Sequence, residues 1–188
     1  LVEKVGGPPA RPYQPPGIWR MTNSFLPDYV EDKGEGLYRK SIYTFWRRTA
    51  PPPNMVALDA PGREACSARR QNTATPLQPL VLLNDPQWVE AARLFGQAML
   101  KNGANIESRL EWGHRKLTTR SLHPEEKKIL VDLWEKQLKL FASDSKSAAK
   151  ILAIGRSKSD PKIQPADLAA ATTIAATLLN LDAATTLR

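Results

Sequence analysis

Hydrophobic positions follow two different patterns along the chain, and the change falls near Pro76. Beyond it, Trp88, Ala92, Phe95 and Met99 recur every three or four residues, the spacing of one helix face. Asp85-Pro86 precedes them as N-cap and first helical residue. Proline keeps Asp85 out of helical angles, and the carboxylate can then accept free N–H groups of the first turn. Gly103 suits the stop. Pro124 opens a second helix with Leu130, Leu133, Trp134, Leu138 and Phe141 inward, and with Asp132–Lys136 and Glu135–Lys139 at i,i+4 on the outer face. A weaker helix is predicted over 106–118 and a shorter one over 146–154, ending at Gly155. After a loop over 157–164, Pro165 begins the last helix, with Leu168, Thr172, Ala175 and Leu179 on one face. The most apolar stretch, Leu168 to Leu181, spans 14 residues. That is short of the roughly 20 a membrane helix needs, so it reads as a buried helix.

Before Pro76 the pattern is irregular. Gly6-Gly7-Pro8-Pro9, Pro12, Pro15-Pro16-Gly17 and Gly34 defeat regular helices over 1–36. An extended surface arm results, anchored by Tyr13, Trp19, Phe25 and Tyr29, because ordering a coil without burial is entropically unfavourable. The β-branched and aromatic residues Ile42, Tyr43, Thr44, Phe45 and Trp46 predict a strand over 38–46, ended by Arg47-Arg48 and the Pro51-Pro52-Pro53 run. Met55 to Leu58 is a second extended candidate. The fold class is therefore mainly α: four to five helices, a long irregular proline-rich N-terminal half and at most a short two-stranded element. One domain is expected, organised as an arm (1–36), a strand and Arg/Pro-rich segment (37–84) and a helical part (85–188).

Composition changes this picture little. The chain has 188 residues, 41% hydrophobic and 24% charged, with 16 prolines, most of them in the first half. The net charge of +8 raises the question of nucleic acid. Residues 1–100 hold 12 basic and 9 acidic side chains and residues 101–188 hold 15 and 10, so the excess is spread thinly and nucleic acid is not favoured. Cys66 is the sole cysteine, which excludes an intrachain disulfide, a cysteine-rich metal site and a covalently attached c-type haem. His114 and His123 have no metal-ligand spacing. No cofactor and no metal is assigned to this chain.

Candidate chemistry concentrates between Leu37 and Gln78. Asp59, Arg63, Glu64, Arg69 and Arg70 place five charged groups within twelve residues. Charges beside an aromatic segment are costly to desolvate unless paired, so an ion-pair network fixing the coil is the first reading. The functional reading is an anion or sugar-carboxylate site, with Arg63, Arg69 and Arg70 as bidentate forks. Asp59 and Glu64 are the candidate acid and base if they converge on one cleft. Thr73, Thr75, Gln78, Asn84 and Asp85 read as turn and capping residues, or as ligands of a polyhydroxylated molecule with Trp46 or Tyr43 as stacking platform. Cys66 reads as a structural, reduced thiol; it would be a nucleophile only beside a histidine.

The blocks Gly6-Gly-Pro, Pro12-Tyr-Gln-Pro-Pro-Gly with Trp19, Tyr38-Arg-Lys-Ser-Ile-Tyr-Thr-Phe-Trp-Arg-Arg, Pro51-Pro-Pro-Asn-Met, Asp59-Ala-Pro with Arg63-Glu and Cys66, Arg69-Arg, Thr73-Ala-Thr-Pro-Leu-Gln, Leu82-Leu-Asn-Asp and Leu178-Leu-Asn-Leu-Asp occur in that order. Together they resemble the C-terminal part of domain of unknown function 1553. The resemblance implies a secreted or periplasmic, multidomain protein of planctomycete type, in which a separate module carries haem c. It also implies that the domain begins upstream of Leu1, so that this chain is a C-terminal fragment whose partners are the remainder of the same protein and the cytochrome module. Pro79 and Ala183 depart from the pattern, where a small residue and an acid are expected. No catalytic residue carries over. The leading expectation is an accessory or structural module of an extracytoplasmic, cytochrome-c-associated protein linked to polysaccharide processing; the alternatives are an enzyme with a shared site for anionic carbohydrate, and a polyanion-binding module.

Overall fold

The structure, a computed structural model, describes residues 1–22, 28–69 and 73–185. It is mainly helical, and its described residues form no sheet. The chain divides into two compact units, Leu1–Gln78 and Pro79–Arg188. The helices are α1 (Ile18–Thr22), α2 (Pro53–Ala57), α3 (Leu77–Asn84), α4 (Pro86–Asn102), α5 (Ile106–Thr118), α6 (Pro124–Ser143), α7 (Ser145–Leu152), α8 (Pro165–Leu179) and α9 (Asp182–Thr185).

The predicted strand over 38–46 does not form. Two short 3₁₀ turns, Gly34–Tyr38 and Ser41–Tyr43, take its place, with single parallel bridges pairing Val2 with Arg39 and Ala10 with Thr44. The partner segment explains this. Pro8, Pro9 and Pro12 lack the N–H groups that would extend a ladder on either side of Ala10. Met55 to Ala57 is likewise helical and Leu58 is the C-cap, because Pro53 at the first position presets the angle for α2. The sequence pattern predicts no separate helix over 77–84, where α3 forms; Pro79 lies in its first turn, where no intrahelical acceptor awaits its missing N–H.

In the second unit the helices expected from periodicity are present. Asp85 caps α4 by accepting the Gln87 N–H at 2.9 Å, and Lys136 pairs with Asp132 at 2.6 Å on α6. Gly103, however, follows α4 in an extended conformation (φ −143) rather than in the left-handed stop. Helix α8 is the centre of the core, contacted by α4, α5, α6 and α7. Leu168, Ala169, Ala170, Ala171, Thr172, Ile174, Ala175 and Leu178 are all buried, so it is enclosed on more faces than the predicted single stripe. Its alanines permit close approach: a Cβ on Gly96 of α4 would lie 2.8 Å from the Ala171 carbonyl.

Helix α4 also carries a charged pair into the interior. The Arg93 side chain is fully buried and Glu90 is 2% exposed, with Nη2 and Oε1 3.6 Å apart. Both serve the loop after α7. Arg93 donates to the Ser157 carbonyl at 2.7 Å, to Ser157 Oγ at 2.9 Å and to Ser159 Oγ at 3.0 Å. Glu90 Oε1 accepts the N–H groups of Arg156 at 3.0 Å and Ser157 at 2.5 Å. Gly155 permits the close approach: its φ is +91, and a Cβ there would lie 2.4 Å from Glu90 Cδ. Farther along the same helix face, Gln97 accepts the Asp160 N–H at 3.1 Å and Lys101 pairs with Asp160 at 2.7 Å.

The α5–α6 junction is held by a second carboxylate. Glu126 accepts both Arg120 Nη atoms, at 2.9 and 2.8 Å, and the His123 N–H at 3.0 Å. Those donors, Arg120 first, hold its pKa at about 2, down from 4.5. A depressed carboxylate contributes stability that is present above about 4.5 and lost as pH falls through about 2. Both side chains are more than one-third exposed, so screening keeps the contribution below about 1 kcal/mol. Glu126→Gln is expected to flatten the acid limb of urea-denaturation stability between those values, and an unchanged limb would contradict the pairing. Arg93→Met leaves Glu90 buried without its cation and is expected to lower stability by about 3 kcal/mol in the same measurement. A loss under about 1 kcal/mol would show that the pair is dispensable.

Candidate functional site

The Leu37–Gln78 segment lies in the first unit and is organised by the end of α2. Asp59 N–H donates to the Val56 carbonyl at 3.1 Å and Ala60 N–H to the Met55 carbonyl at 2.9 Å. This paired C-terminal cap needs a left-handed residue at its turn, and Asp59 occupies it at φ +58. A short polar side chain tolerates that geometry better than most. The cap aims the carboxylate at Thr73: Asp59 Oδ2 accepts the Thr73 N–H at 2.8 Å, the Thr73 hydroxyl at 2.8 Å and Gln78 Nε2 at 3.1 Å. The base of the 60–72 loop is thereby clasped. A hollow of about 480 Å³ beside it is walled mainly by Pro51, Pro53, Val56, Ala57 and Leu77, with Asp59, Thr73 and Thr75 at its polar edge.

The loop itself is displayed. Every residue from 61 to 69 is exposed, including Arg63, Glu64, Cys66 and Arg69. Arg63 is left-handed at φ +58, which costs an arginine about 1–2 kcal/mol, and its guanidinium lies 4.9 Å from the Trp46 ring centroid. The structure thus brings together Asp59 with Gln78, and Arg63 with Trp46. Arg70 lies outside the described residues. Asp59 is engaged by Thr73 and Gln78, whereas the guanidinium of Arg63 rests on an aromatic face and Arg69 and Glu64 are exposed.

Tyr43 is engaged by the N-terminal arm. Arg39 sits 3.9 Å from its ring centroid, and its hydroxyl accepts the Gly6 N–H at 3.0 Å. The same guanidinium gathers the carbonyls of Lys4 at 3.0 Å, Gly6 at 2.5 Å and Pro8 at 3.2 Å. Of the predicted arm anchors, Trp19 is buried against Tyr29 and Phe45, Tyr29 donates its hydroxyl proton to the Pro12 carbonyl, and Phe25 lies outside the described residues. Burial raises the Tyr29 pKa, so the phenol remains a donor at neutral pH. His114 is fully buried, with Nδ1 3.1 Å from the Arg120 carbonyl. Among the described residues no group of three His, Cys, Asp or Glu side chains is placed to hold a metal ion, and no helix is long and apolar enough to cross a membrane.

The family model described as protein of unknown function (DUF1553) matches residues 1–134, the whole first unit and the second as far as Trp134 of α6. The chain belongs to the DUF1553 family. No curated protein and no solved structure matches it. Both the clasp and the displayed arginines lie inside the DUF1553 match, whereas α7, α8 and the Leu178-Leu-Asn-Leu-Asp block lie beyond it.

Sequence reading missed Glu90 and Arg93. The available signal was their three-residue separation beside buried Val89, Ala92 and Gly96, which places both charges on the helix face that enters the core. For the clasp, Asp59→Gly keeps the left-handed backbone but removes the carboxylate. Trypsin is expected to cut after Arg63 and Arg69 several-fold faster in that variant, at equal global stability; unchanged cleavage would show that the clasp does not order the loop.

Proposed function

We propose that this chain is a non-catalytic recognition module of an extracytoplasmic protein, reading an anionic polysaccharide through Arg63, Arg69 and Trp46. The observation that carries this reading is the orientation within one segment: the Asp59 carboxylate faces Thr73 and Gln78, while Arg63 is presented on Trp46 at the surface. A guanidinium resting on an aromatic ring keeps its outward N–H groups for a carboxylate or sulfate, and the indole adds an apolar face for a sugar ring. Exposed Arg48, two residues beyond Trp46, adds positive charge to the same stretch.

The wider setting is proposed with it. The module belongs to a cytochrome-c-associated, periplasmic or extracellular protein engaged in polysaccharide processing, with haem c on a separate module and the remainder of the protein as its natural partner. The competing reading, hydrolysis with Asp59 and Glu64 as acid and base, is less favoured because three donors converge on one oxygen of Asp59.

Affinity electrophoresis through alginate, a polyuronate, with neutral dextran as reference, tests the proposal. Retardation by alginate alone is expected, with affinity reduced roughly tenfold or more in the Arg63→Ala/Arg69→Ala double variant. Equal retardation by dextran, or an unaltered double variant, would overturn it.

A further inference from the structure

The second unit has a hollow of about 210 Å³ beside the loop that Glu90 and Arg93 hold in place. Its volume is that of about seven water-sized groups. Leu152, Ile163 and Leu168 supply apolar wall, and Ser159, Lys162 and Gln164 supply polar groups. Ser159 is the informative one. Its oxygen accepts Nη1 of the fully buried Arg93 at 3.0 Å, which leaves its own hydroxyl proton for another acceptor. A buried cation polarises that hydroxyl in a low-dielectric setting, strengthening it as a donor.

Asp160 also lines the hollow, but its carboxylate is matched by Lys101 at 2.7 Å and accepts the Lys162 N–H at 3.0 Å. The Lys162 ammonium makes no close ion pair among the described residues, although its charge also acts on the Asp160 carboxylate, and the Gln164 side chain does not cap the helix that follows. Ser159, Lys162 and Gln164, each carrying a donor side chain, therefore line one small, partly apolar space.

We propose that this hollow binds a small carboxylate, its charged end on Ser159 and Lys162 and its short apolar body against Leu152, Ile163 and Leu168. The site is independent of the anion-binding surface proposed in the first unit. It gives the buried pair a role beyond tethering: Glu90 fixes the loop through the Arg156 and Ser157 N–H groups, and Arg93 orients the hydroxyl that meets the ligand.

The test is an NMR titration of the ¹⁵N-labelled chain with sodium butyrate, using butyramide as the uncharged isostere and sodium chloride as the ionic reference. Saturable shifts confined to the amides of Ser159, Lys162, Ile163, Gln164 and Leu168 are expected with butyrate alone. The apparent Kd should rise roughly tenfold in Lys162→Gln, an exposed position that leaves the fold intact, and in Ser159→Ala, while Arg63→Ala binds as the native chain does. Absence of saturation, equal shifts with butyramide or chloride, or unchanged affinity in Lys162→Gln would overturn the proposal.

Discussion

Irregular backbone has no ladder of N–H groups to donate to its carbonyl oxygens, and in each unit of this protein an arginine meets that need. Arg39 gathers the carbonyls of Lys4, Gly6 and Pro8, and Arg93 binds those of Ile154 and Ser157. A guanidinium suits this task because its five N–H groups fan out in a plane, so one side chain can serve several turns of coil. The two hubs differ in cost. Arg39 keeps Tyr43 against its flat face, whereas Arg93 is wholly buried and needs Glu90 beside it. The ordered arm and the loop after α7 both depend on this device.

Against that background, the arginines of the 60–72 loop stand out by their placement. Arg63 and Arg69 gather no backbone carbonyls among the described residues; they are exposed, on a loop whose base is closed by Asp59, Thr73 and Gln78. A loop clasped at its base and exposed over 61–69 is organised for contact. The left-handed angle at Arg63 is sustained by that clasp and by the Trp46 face, consistent with backbone strain retained at a position of use. The recognition role follows from the contrast between carbonyl-bound guanidiniums and displayed ones in a single chain.

The helical half was legible because its signals are local. Asp85-Pro86, Pro124 and Pro165 mark helix starts through the fixed proline angle, and the stripes after them follow from the helical period. The segment over 38–46 was misread because aromatic and β-branched residues report only that a chain can extend. Whether it pairs depends on the proline-broken arm, more than thirty residues away in sequence. Asp59 and Arg63 were identified in a charged cluster and Gln78 in a separate polar one, but the joining of the carboxylate to Thr73 and Gln78, apart from the displayed guanidinium, rests on the left-handed cap after α2, which neither glycine nor asparagine marks. Glu90 and Arg93 escaped notice because their partners lie more than sixty residues onward, in a loop that periodicity cannot place.

Hydrogen exchange followed by mass spectrometry on the full chain measures this division directly, since it reports which irregular segments are held. Peptides containing Ala10, Thr73, Arg156 and Ser157, whose N–H groups are bonded to distant partners, are expected to exchange slowly although none lies within a regular helix or sheet. Peptides over 61–69 are expected to exchange at near-unprotected rates. Rapid exchange in the first set, or strong protection of 61–69, would contradict an account in which arginine hubs and the Asp59 clasp order the coil and leave one loop displayed.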